Sequence, residues 1–149
     1  MSVDIVSHVR GRKLPLRRIK RTAQRILAFI DQSDSELSLA FVDNGAIRKL
    51  NRKYRHKPKA TDVLSFSAKN HANGGPRLLG DVVISIDQAR EQAKTGGWTL
   101  AEEIERLLIH GILHLLGYDH ERSRKDAMIM RALEKKISRA LCGKSGAAL

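Results

Sequence analysis

The sequence predicts an α+β fold: a single domain spanning residues 1–149, with an about four-stranded mixed sheet packed with helices. Two observations predict it. Stretches that alternate apolar and polar residues are interleaved with stretches that repeat at helical spacing, and the last third of the chain holds two helices, Leu100 to Leu116 and about Ser123 to Leu141. The 149 residues suffice for one hydrophobic core, and no run approaches the roughly twenty consecutive apolar residues of a membrane span.

Taken in order, Val3 to Val9 is rich in β-branched residues and reads as a first strand, with Asp4 and Ser7 breaking the apolar run. Pro15 suits the first position of a helix, after which Leu16, Ile19, Ala23, Ile26, Leu27 and Ile30 recur at helical spacing. Arg17, Arg18, Lys20, Arg21 and Arg25 occupy the opposite face. We read a core-packed helix whose charged side meets RNA or water, in preference to one lying on a membrane. Leu37, Leu39 and Phe41 alternate within a second strand, Glu36 to Val42. Asp43 then caps a short helix from Asn44 to about Arg52, with Ile47 and Leu50 inward.

The basic segment Tyr54 to Thr61 is expected to be irregular and to feed a third strand, Asp62 to Ser67. Lys69 to Pro76 is a loop. Asp81 to Ile86 is nearly continuous in apolar residues, which marks a central strand. Asp87 is expected to cap a helix through about Lys94, which Gly96-Gly97 ends. Thr99 and Glu102 form a capping box that opens a helix from Leu100 to Leu116. A final helix runs from about Ser123 to Leu141 with Ala127, Met130, Leu133, Ile137 and Leu141 inward, and residues 143–149 are expected as a disordered tail. The order is β α β α β β α α α.

Twenty-eight Lys and Arg against sixteen Asp and Glu give a net charge of +12, which favours a polyanionic partner. The single cysteine, Cys142, allows no internal disulfide, and Met1 to Asp4 lacks the basic and apolar regions of a secretory signal. A cytoplasmic location is expected.

The helix ending at Leu116 carries the chemistry. His110 and His114 are four residues apart, so their side chains leave one helix face. Gly117 can adopt the left-handed backbone that ends a helix, and the chain can then bring His120 back to the same point. Three neutral imidazoles at one point describe an open metal site of the Zn²⁺ type, with a position left for water; Ni²⁺, Co²⁺ and Mn²⁺ are also compatible. The surrounding run is so apolar that several imidazoles without a shared partner would carry a desolvation cost. The spacing His-x-x-x-His-x-x-Gly-x-x-His matches that of metzincin peptidases, which place a Glu directly after the first His as general base. Here that position is Gly111, which cannot relay a proton. Asp119 either orients a ligand or caps the following turn, and His56 and His71 are read as exposed loop residues.

His110 to His120 resembles the signature of the YbeY family of bacterial single-strand-specific endoribonucleases. Leu50-Asn51-Arg52-Lys53-Tyr54-Arg55, Thr61-Asp62-Val63-Leu64-Ser65-Phe66 and Leu79-Gly80-Asp81-Val82-Val83-Ile84-Ser85 are similar to that family's other blocks, in the same order. Ala60 and Ser67 stand where the family usually has proline, which affects backbone stiffness and no chemical group. The resemblance implies a metal-binding helix beneath the sheet, metal ligands at His110, His114 and His120, and a functional arginine at Arg55 that either acts in catalysis or positions RNA. It also implies a role in ribosomal RNA maturation and ribosome quality control, with RNA and ribosomal particles as partners. The leading expectation is therefore a metal-dependent endoribonuclease of single-stranded RNA, using metal-activated water or a metal-polarised phosphate with Arg55 assisting. The alternatives are a ribosome-binding assembly factor with a structural metal, and a metallopeptidase, which Gly111 disfavours.

Overall fold

The alternating stretches pair into one mixed sheet in a computed structural model that describes residues 2–9, 14–68 and 77–145. The elements are β1 (Ser2–Ser7), α1 (Leu16–Phe29), β2 (Ser35–Val42), α2 (Asn44–Arg55), β3 (Val63–Ser67), β4 (Arg77–Ser85), α3 (Ile86–Gly96), α4 (Leu100–Leu115) and α5 (Arg124–Ser145). The strand order is β1-β2-β4-β3, with β1, β2 and β4 parallel and β3 antiparallel to β4. The α+β class and the four strands are as expected.

The period-2 pattern decides which side chains enter the core. Leu37, Leu39 and Phe41 of β2 are buried, and register sets Leu39 opposite Val82 and Phe41 opposite Ile84. This face packs against Ile19, Ile26 and Leu27 of α1, Leu107, Leu108 and Ile112 of α4, and Met130 and Ile137 of α5. On the other face a smaller cluster joins Ile47 of α2 to Val42, Leu64 and Val83. Central β4 is thus apolar on both faces. The histidine-bearing α4 lies against β3 and β4, beneath the sheet. Each fully buried Leu or Ile contributes roughly 1.5–3 kcal/mol relative to exposure, so α4 is a rigid platform.

Polar packing fixes that platform too. Glu103 of α4 is buried and accepts hydrogen bonds from Gln92 Nε2 (2.6 Å), Trp98 Nε1 (2.8 Å) and Arg106 Nη2 (2.6 Å). Burial alone would raise its pKa; the hydrogen bonds from Arg106, Trp98 and Gln92 outweigh it and hold the carboxyl below its usual range.

Several boundaries differ from expectation. Pro15 sits at the N-cap rather than inside α1. The basic stretch expected to be irregular continues α2 as far as Arg55, because Arg and Lys are good helix formers and cations suit a helix C-terminus. His56, in the left-handed conformation (φ 57°), ends it. Ser85 rather than Asp87 caps α3, its side chain accepting from the Gln88 N–H, while Asp87 accepts from the Asn44 N–H at 2.9 Å and ties α3 to the start of α2. Ile86 consequently belongs to the helix. The final helix runs to Ser145, into the residues expected as a tail, and residues 146–149 lie outside the described residues, as does the loop expected at 69–76.

Candidate metal centre

A capping box starts α4: the Glu102 N–H donates to Thr99 Oγ1 at 3.1 Å and the Thr99 N–H to Glu102 Oε1 at 2.9 Å. His110 and His114 fall on its last turns, both half-buried. Gly117, with φ 100°, makes the reversal in the left-handed region where a side chain would be strained. The N–H of Gly117 bonds the His114 carbonyl at 3.1 Å and that of Tyr118 bonds the Leu113 carbonyl at 3.2 Å, which closes the helix end. The chain then returns with Asp119 and His120.

The three imidazole rings lie near one another, although the group whose ligand atoms are already close together is His114, Asp119 and His120, without His110. Ring centroids lie 5.1 Å apart for His110 and His120, 6.1 Å for His110 and His114, and 6.3 Å for His114 and His120. Metal–nitrogen bonds of about 2.0–2.1 Å, with about 1.1 Å from nitrogen to ring centre, put tetrahedral ligand rings about 5.2 Å apart. One pair already has that spacing and the other two are wider by about an ångström, within the reach of side-chain rotation. Ligand atoms of His114, Asp119 and His120 all lie within 4.8 Å of one another. Asp119 was expected either to orient a ligand or to cap a turn. Its Oδ1 accepts from the Glu121 N–H at 2.8 Å, and the residue also belongs to this ligand cluster. That backbone hydrogen bond holds its pKa below the usual carboxylate value. Burial, aided by the nearby charge of His110, lowers the pKa of His114 and favours the neutral imidazole that a metal requires. The donor set, nitrogen-rich with one adjacent carboxylate, fits a divalent transition metal.

The cluster opens into a cleft of about 510 Å³ whose lining includes His110, His114, His120, Arg55, Lys57 and Lys59. Arg55 is on the last turn of α2, where its Nη2 donates to the Ser65 carbonyl at 2.7 Å and its guanidinium stands 5.8 Å from the Phe66 ring centre. Ser65 in turn donates through Oγ to the Gly111 carbonyl at 2.9 Å, so β3 links the arginine to the metal helix. Asp62 also lines the cleft and is held by Gln92 Nε2 at 3.3 Å. His56 is exposed and ends α2, and His71 lies outside the described residues.

Gly111 has a packing reason as well as a chemical consequence. A Cβ there would lie 2.8 Å from Val82 Cγ1 and 3.3 Å from Ser65 Oγ. The larger Glu of the metzincin pattern has no room at this crossing of α4 and the sheet. Gly111→Ala is expected to lower stability by up to about 2 kcal/mol, since overpacking typically costs about 1–3 and the helix preference of Ala returns about 1. Thermal unfolding of the two proteins would reveal it; an unchanged or higher Tm would mean that Val82 yields without strain.

One residue that sequence reasoning missed is Glu134 of α5, whose Oε2 lies 2.8 Å from His110 Nδ1. Its only trace in the sequence is a carboxylate on the inward stripe of a helix otherwise lined by Met130, Ile137 and Leu141.

The family model described as "Endoribonuclease YbeY" matches residues 5–142. An "Endoribonuclease YbeY" from Myxococcus xanthus is 53% identical over 134 residues, covering 89% of this chain and 45% of the relative. One from Aquifex aeolicus is 43% identical over 141 residues, covering 92% and 93%. The chain thus spans about half of the first relative and nearly all of the second. The solution structure of TM1509 from Thermotoga maritima superposes with a TM-score of 0.66 at 27% identity, covering 98% of this chain and 93% of that one.

Proposed function

This chain belongs to the endoribonuclease YbeY family, and from that premise we propose that it is a metal-dependent endoribonuclease of single-stranded RNA acting in ribosomal RNA maturation and ribosome quality control. In this reading residues 1–149 work as one domain in the cytoplasm, on ribosomal RNA and ribosomal particles. His110, His114 and His120 hold one divalent ion, with Zn²⁺ the best match to three imidazole donors. The observation that carries the proposal is the presence of three imidazoles and Arg55 in the lining of a single cleft.

When bound, the ion supplies Lewis acidity, both for a phosphate oxygen and for the acidity of water. The chain's own residues do the rest. Arg55 is placed to donate hydrogen bonds to non-bridging phosphoryl oxygens, on which charge builds as the strand is cut. Its hydrogen bond to the Ser65 carbonyl steadies the guanidinium. Lys57 and Lys59 on the rim attract flanking phosphates. Asp119, held at a low pKa, is a weak base and better suited to orienting a neighbouring imidazole.

A structural metal in an assembly factor fits less well, because structural zinc sites are closed by four protein ligands, whereas this cluster opens to the cleft and His120 is 44% exposed. A peptidase would need a base where Gly111 leaves no space. The free Cys142 agrees with a reducing compartment, and among the described residues no helix is long and apolar enough to cross a membrane.

Salt provides the test of the RNA partner. The logarithm of affinity for a single-stranded RNA should fall linearly with the logarithm of salt, by about 0.7 per phosphate contact. Lys57→Gln combined with Lys59→Gln should make that slope shallower by about 1.4, as measured by fluorescence anisotropy across a salt series. A flat dependence in the wild type would remove phosphate tracking from the account.

A further inference from the structure

Among the described residues, His110 is alone of the three cleft histidines in having a carboxylate at hydrogen-bond distance: Nδ1 to Glu134 Oε2, 2.8 Å. His120 Nε2 stands 3.9 Å from Glu121 Oε1, too far for a hydrogen bond. Glu134 reaches His110 because of where α5 packs. Met130 and Ile137 are 1% and 0% exposed, and Glu134 lies between them on the same stripe, four residues after one and three before the other. Apolar packing on both sides therefore fixes the Glu134 backbone against α4, and its carboxylate is left partly buried with His110 as its hydrogen-bond partner.

That contact has a chemical consequence. A neutral imidazole carries its proton on one nitrogen and offers a lone pair on the other. A carboxylate acceptor at Nδ1 places the proton there, which leaves Nε2 as the atom free to bind a metal. It also restrains ring rotation and makes Nε2 a stronger donor.

We propose that Glu134 is a positioning residue of the metal centre, fixing the tautomer and ring orientation of His110 from a separate helix. The inference rests on the reading of His110 as a ligand. It makes α5 part of the site, although the Glu touches neither RNA nor the ion.

The test compares metal-stripped wild type, Glu134→Met and Glu134→Gln. Met keeps the bulk on an apolar stripe but has no comparable acceptor; Gln keeps an oxygen that accepts from Nδ1–H. Zn²⁺ affinity, read by competition with a chelator, should weaken about 10–100-fold in Glu134→Met, with much of the loss restored in Glu134→Gln. The Tm of metal-free Glu134→Met should equal or exceed that of the wild type, because an apolar side chain suits the stripe. Co²⁺-loaded Glu134→Met should show an altered visible spectrum. Wild-type Zn²⁺ affinity in Glu134→Met, together with loss of Zn²⁺ in His114→Ala, would overturn the positioning role and leave the metal centre standing. Failure of the wild type to take up Zn²⁺ or Co²⁺ would sink both.

Discussion

His114→Ala is expected to abolish metal binding and to reduce cleavage of single-stranded RNA by about a thousandfold or more, to background. His114 is half-buried, and its lowered pKa keeps the imidazole neutral and ready to ligate. Its ligand atom lies within 4.8 Å of those of both Asp119 and His120, so removing it opens the middle of the cluster. The size of the effect follows from the several kcal/mol of transition-state stabilisation that a Lewis-acidic ion supplies, at about 1.4 kcal/mol for each factor of ten. The fold should survive. The core beneath is formed by Leu107, Leu108, Ile112 and Leu113, none of which the substitution touches, and circular dichroism of the metal-free proteins should coincide. Metal content by mass spectrometry and cleavage of an end-labelled RNA read the two effects separately. Equal cleavage by wild type and variant would assign the activity to a contaminating nuclease.

Arg55→Ala should separate chemistry from metal binding. Metal content stays at the wild-type level, since Arg55 ligates nothing, while cleavage falls about 10²–10³-fold, the usual cost of deleting a donor aimed at developing negative charge. The loss is expected mainly in kcat. Removing a guanidinium that merely gripped the RNA would raise KM and leave kcat nearly unchanged. Arg55→Lys should recover little, because a lysine ammonium cannot reproduce the planar fork or the stacking over Phe66. Wild-type kcat in Arg55→Ala would remove Arg55 from the chemistry.

The parts of the site that were legible in the sequence are those governed by local geometry. The i, i+4 spacing of His110 and His114 needs only a helix, and Gly117 needs only a left-handed turn, which it makes. Strand alternation in β2 likewise reported its buried face directly. Features set by tertiary packing were hidden. Glu134 is 24 residues from its partner, and nothing in the spacing of α5 says that its stripe faces His110 rather than another part of α4. The room denied to a side chain at Gly111 depends on Val82, which reaches it only through the strand order. Arg55 was legible as a functional residue through family resemblance, yet its place on the last turn of α2 was not. Polarity argued for a loop there, whereas Ile47 and Asn51 on the buried face are enough to seat the helix.

The most direct test of the metal centre is the metal content of the protein purified without a metal-affinity tag. The account predicts about one equivalent of a divalent transition metal, Zn²⁺ foremost, with RNA cleavage lost on chelation and restored on adding the ion back. Less than about a tenth of an equivalent, with no uptake and no gain in cleavage when metal is supplied, would contradict it.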